Sequence, residues 1–96
     1  MKLSSALVHQ ALTQFQAQPI PEDHPSVPKL SQLFGEHTFF LDRNGLNVVE
    51  PTPTEDPDAM LGRVVKLASW RNRTRTELVR HDPEPTEVVV ALQVAA

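Results

Sequence analysis

The sequence predicts one α+β domain over residues 1–96, with an N-terminal amphipathic helix and a short second helix packed on an antiparallel sheet of four or five strands. Three observations predict it. Apolar residues recur at helical spacing near the N-terminus. Two β-rich runs flank Asp42-Arg43-Asn44-Gly45, a sequence made for a tight turn. The C-terminal third is rich in valine.

The first helix is expected over about Leu3 to Gln18. Leu7, Val8, Ala11, Leu12 and Phe15 share one stripe of a 3.6-residue wheel, with His9, Gln10, Thr13 and Gln16 opposite. Ser4 or Ser5 supplies an N-cap, because a hydroxyl oxygen accepts from a free N–H of the first turn. Pro19 and Pro21 end the element, since proline has no N–H and restricts the residue before it. The opposite face is rich in glutamine and nearly uncharged. It suits either solvent or a second contact surface.

Residues 19–28 hold four prolines and read as an extended connector. Pro25-Ser26-Val27-Pro28 has the spacing of a polyproline-type ligand, but an ordinary stiff loop is the better reading. A short helix follows near Lys29 to Phe34, turning Leu30, Leu33 and Phe34 inward and closing at Gly35. Thr38 to Leu41 and Leu46 to Val49 then form a hairpin, because Asn44 and Gly45 tolerate the positive φ of a tight turn.

The segment 59–71 has two readings. Met60, Leu61, Val64, Val65, Leu67 and Ala68 share a helical face, and Asp56, Pro57 and Asp58 suit a helix start. Val64, Val65, Trp70 and Gly62 instead favour a strand from Gly62 to Trp70. Beyond it a second hairpin is expected, with strands at Thr74 to Arg80 and Thr86 to Val94 around a turn at Asp82-Pro83-Glu84-Pro85. The run Val88 to Val90 suggests a strand covered on both faces. Ala95 and Ala96 are expected to fray.

Composition narrows the chemistry. The 96 residues include no cysteine, which excludes disulfides, thiolate metal sites and cysteine nucleophiles. No apolar stretch approaches the ~18 residues of a membrane span, so a cytoplasmic, non-membrane protein is expected. The three glycines, at 35, 45 and 62, are too far apart for a phosphate-cradling loop, so no cofactor is expected. The histidines, His9, His24, His37 and His81, lack metal-clamp spacing. Glu36-His37, Asp42 and His81-Asp82 converge only if the two hairpins lie side by side. His81 is the histidine beside a carboxylate at a strand end. The acidic pairs Glu22-Asp23 and Glu55-Asp56 lie in proline-rich loops, where solvent keeps carboxylates ordinary.

The net charge is −3, but six of the nine basic residues lie between Arg63 and Arg80, opposed there by Glu77 alone. Arg63, Lys66, Trp70, Arg71, Arg73 and Arg75 are therefore the candidate contacts for an anion or a nucleic acid. Positive charge draws phosphates, and an aromatic ring can stack on a base. The acidic pI of 5.7, neighbouring acids able to pair with the arginines, and a core role for Trp70 argue against that reading. The reading that asks least of the sequence is a non-catalytic interaction or assembly module, pairing as a homodimer or with another protein. A small enzyme with a His/carboxylate site is the third alternative.

Overall fold

A computed structural model of the chain describes residues 2–52, 55 and 59–93. The elements are α1 (Ser5–Leu12), β1 (Gln18–Pro19), α2 (Val27–Phe34), β2 (Phe40–Asp42), β3 (Gly45–Thr52), β4 (Met60–Trp70) and β5 (Leu78–Gln93). The strands form one antiparallel sheet whose spatial order follows the chain, β1-β2-β3-β4-β5. Two helices pack on this five-strand sheet, the α+β arrangement expected from the sequence.

Side chains alternate across a strand, and here both faces are buried. Phe40, Val49, Val64, Val90 and Leu92 join one cluster, closed by Leu3, Leu7, Val8, Ala11, Leu12 and Phe15 on and around α1. Their chain neighbours Phe39, Val48 and Val65 join Leu46, Leu67 and Ala68 in a second cluster, closed by Leu30 and Phe34 of α2. One helix therefore covers each face. That geometry explains why β3 and β4 carry uninterrupted apolar runs rather than alternating ones.

The ambiguity over 59–71 resolves as a strand. β4 lies between β3 and β5, so its valines are buried from both sides and their helical spacing has no packing consequence. Gly62 is required there: a Cβ would run into Cγ1 of Val49 and crowd Leu92. The cap expected at Asp56–Asp58 and the end at Ala95 and Ala96 lie outside the described residues.

The predicted C-terminal hairpin is corrected. Asp82-Pro83-Glu84-Pro85 makes no turn; β5 runs through it as one 16-residue strand. The reversal lies at residues 71–77, where Arg71 N donates to Glu77 O at 2.8 Å. Asn72 builds this loop, its Oδ1 accepting from Thr76 N at 3.0 Å and its Nδ2 donating to Thr76 Oγ1 at 2.7 Å. Proline is tolerated at 83 and 85 because β5 is an edge strand, which needs few N–H donors on its outer side. The same position corrects the expectation for Val88 to Val90. Val90 is buried, but Val88 and Val89 are 42% and 40% exposed.

α1 is shorter than expected, ending at Leu12. Thr13 Oγ1 donates to Gln10 O at 2.7 Å, and the chain then straightens so that Gln18 and Pro19 can pair with Leu41 and Phe40. Strand pairing thus overrides local helix preference. The N-cap is Ser4, whose Oγ accepts from Leu7 N at 3.3 Å. α2 begins earlier than expected, at Val27, with Pro28 in its first turn, where a missing N–H costs nothing. Gly35 closes it at φ 89.

Candidate functional site

Two features of the fold offer chemistry: the open edge of β5 and a groove beside α1. The opposite sheet edge is β1, two residues long and ending in Pro19, so it offers little to another strand. β5 is long, and its length creates irregularity. It has 16 residues against 11 in β4, and the surplus is absorbed at register shifts between Met60 and Leu61, Arg63 and Val65, and Lys66 and Ala68. Each of the two larger bulges is pinned by side chains. At the first, Arg63 Nη1 donates to Thr86 O at 2.8 Å, and Thr86 Oγ1 donates to Val64 O at 2.7 Å while accepting from Val88 N at 3.1 Å. At the second, His81 Nδ1 faces Asp82 O at 2.7 Å and its Nε2 faces Ser69 Oγ at 2.9 Å. A carbonyl can only accept, so Nδ1 is the donor to Asp82 O, while Nε2 and the serine hydroxyl share the other bond.

Near the C-terminal end of β5, α1 occupies the edge. Gln14 Nε2 donates to Ala91 O and Gln14 Oε1 accepts from Ala91 N, both at 2.7 Å. The glutamine amide thereby pairs with the strand as a peptide group would. Gln14 stands in the turn just after α1, outside the polar face expected of that helix. Among the described residues, the exposed large apolar side chains are Leu33, Leu78, Val79, Val88 and Val89, and all but Leu33 lie on β5.

The groove has a volume of about 1130 Å³ and opens on the α1 side of the sheet. Lys66, Trp70 and Arg75 line it, joined by Arg43 and Asn44 of the β2–β3 turn and by Gln16 and Gln18. Trp70 answers the core-or-surface question with both: it is half-buried, and Nε1 donates to Asp42 O at 2.7 Å, tying the turn to the end of β4. Asp42 Oδ1 accepts from Asn44 N at 2.8 Å and Gly45 N at 3.0 Å, which shapes that turn. Gly45 adopts φ 139 and passes so close to Ala68 O that a Cβ has no room.

The six sequence-predicted basic-segment residues separate into three groups. Lys66, Trp70 and Arg75 meet in the groove. Arg63 holds the first bulge instead. Arg71 and Arg73 sit exposed on the 71–77 loop, with Arg71 Nε 3.9 Å from a Glu77 oxygen. Lys66 Nζ lies 3.6 Å from Glu84 Oε2. Arg80 lies 5.3 Å from the Phe34 ring centroid. Arg43, Asn44 and the glutamines of the groove were not in the sequence-derived set. The pairing of Gly45 with Ser69 and the Trp70–Asp42 bond bring that turn beside Trp70.

A second groove of about 680 Å³ lies on the α2 side, where His37, Glu50, His81 and Asp82 do come together. His37 Nδ1 is 3.4 Å from Glu50 Oε1, and burial lowers the His37 pKa while Glu50 and a hydrogen bond to the Phe34 backbone raise it. Among the described residues no cluster of histidines and carboxylates is arranged to hold a metal ion, and no helix is long and apolar enough to cross a membrane. Comparison with protein-family models, with curated proteins and with solved structures finds no match to this chain.

Proposed function

We propose that the chain is a non-catalytic assembly module that pairs edge to edge with a second copy through β5. The observation that carries this reading is the confinement of exposed apolar side chains, Leu33 apart, to the one long open strand. An unpaired strand edge presents N–H and C=O groups to any strand that can lie beside it, and a two-fold axis lets one strand serve as its own partner.

The strand's sequence complements itself when reversed. An antiparallel copy centred between Pro83 and Glu84 sets Leu78 against Val89, Val79 against Val88 and Arg80 against Glu87. Apolar residues then meet apolar residues, and a cation meets a carboxylate. The prolines fall at the centre, where they offer no donor, so pairing rests on the two outer arms.

Light scattering against concentration tests this. The expected result is a dimer that Val79→Lys dissociates. Arg80→Glu and Glu87→Arg should each weaken it, and the two together should restore it, with circular dichroism confirming that each variant folds. A chain that stays monomeric at high concentration overturns the reading. A dimer indifferent to all of these substitutions overturns the β5 interface.

A further inference from the structure

We infer that the groove beside α1, which shares Glu84, Pro85, Thr86 and Val88 with β5, is a binding site for single-stranded nucleic acid. Three observations converge there. First, two of its cations are uncommitted. Among the described residues Arg43 and Arg75 have no carboxylate within ion-pair distance, whereas Lys66 faces Glu84. The groove's acids have partners of their own, Asp42 in the turn's N–H groups and Glu84 in Lys66, which leaves Arg43 and Arg75 as its cations for a ligand.

Second, Arg75 is held in an unfavourable conformation. Its φ is 57, and it is the one residue other than glycine with positive φ among those described. A side chain in this region is strained, and such strain persists only where the surroundings enforce it. Here the enforcement is Asn72, whose carbonyl accepts from Arg75 N at 3.3 Å and whose side chain clamps Thr76. The loop sequence thus sets the backbone conformation from which the exposed Arg75 side chain joins the groove's lining.

Third, the groove pairs these cations with an aromatic ring and amides. Trp70 is fixed by its bond to Asp42 O, so its ring is preorganised as a lining surface. Asn44, Gln16 and Gln18 supply donors and acceptors suited to base edges. Cations for phosphates with an aromatic for base stacking are the elements of single-strand recognition. The groove is open at the surface and, at about 1130 Å³, has room for a short segment of polymer.

The test uses the full chain and a short oligothymidylate, read by the fluorescence of Trp70, the only tryptophan. Binding at low salt should quench it. Two neutralised phosphates predict a slope of about −1.4 in log K against log salt for a single strand. Arg43→Gln and Arg75→Gln should each reduce that slope by about half, while Arg73→Gln, outside the groove lining, should leave the groove contribution intact. The same titration on the dissociated Val79→Lys variant keeps the two proposals apart: dependence of binding on Arg43 and Arg75 should persist there whether or not β5 pairs. No quenching at low salt overturns the site. Equal loss from Arg73→Gln and Arg75→Gln would reduce it to unspecific charge attraction and overturn it as well. Tighter binding to duplex than to single strands would reject the stacking role of Trp70.

Discussion

Gln14 and Ala91 are joined by two hydrogen bonds of 2.7 Å, one in each direction, across 77 residues of sequence. The contact ties the turn that follows α1 to the edge of β5 and closes that stretch of edge to a partner strand. Gln10 Nε2, at 3.4 Å from the same carbonyl, adds a weaker bond. Edge pairing is thereby confined to the part of β5 before Ala91.

Replacing Gln14 by Leu keeps the side-chain bulk and removes both bonds. At about 0.5–1.5 kcal/mol net per bond, and with water able to replace part of the loss, the expected destabilisation is about 1–2 kcal/mol in urea unfolding. Hydrogen exchange at the Ala91 amide should accelerate together with it. Unchanged protection at Ala91 would show that the glutamine does not hold the edge.

Thr86 is expected to matter more than its surface position suggests. Its hydroxyl bridges Val64 O and Val88 N, and its own carbonyl receives Arg63. Thr86→Val retains the branched shape and leaves the Val64 carbonyl and the Val88 N–H without that partner, at a cost of about 1–2 kcal/mol. Thr86→Ser should recover most of this. A double-mutant cycle with Arg63→Met should give a non-zero coupling, because both residues hold one bulge. Additive effects would mean that the two residues act on the bulge independently.

His37 gives the stability a pH dependence whose sign is set by burial. Its native pKa lies below the ordinary histidine value, so the unfolded chain takes up a proton first as pH falls through about 6.5. Stability therefore declines from there down to the depressed native value, and the contribution is fully lost below it. His37→Gln should flatten the unfolding free energy across that window. A variant as acid-sensitive as the parent would locate the dependence in another group.

The pairing of β3 with β4 explains which parts of this fold were legible in the chain. Asn44-Gly45 between β-rich runs announced its hairpin, because the turn's backbone demands are local. Ser4 and Gly35 announced helix boundaries for the same reason. The segment 60–70 stayed ambiguous because a strand buried on both faces loses the alternation that identifies strands, and only neighbours on each side make it so. Asp82-Pro83-Glu84-Pro85 misled for a related reason: prolines that usually mark a turn also fit an edge strand, and being an edge is a property of the sheet.

The sequence by itself determined the class of fold, the first hairpin, the two helices and the absence of cysteine chemistry, all of which depend on residue type and near-neighbour spacing. The tertiary structure alone decided which residues share a surface. It sent Arg63 to a bulge and set Arg75 and Trp70 beside Arg43, more than 25 residues away along the chain. It also left the valines of β5 on an open edge. Register and sheet order act between distant segments, so no local pattern of residues records them.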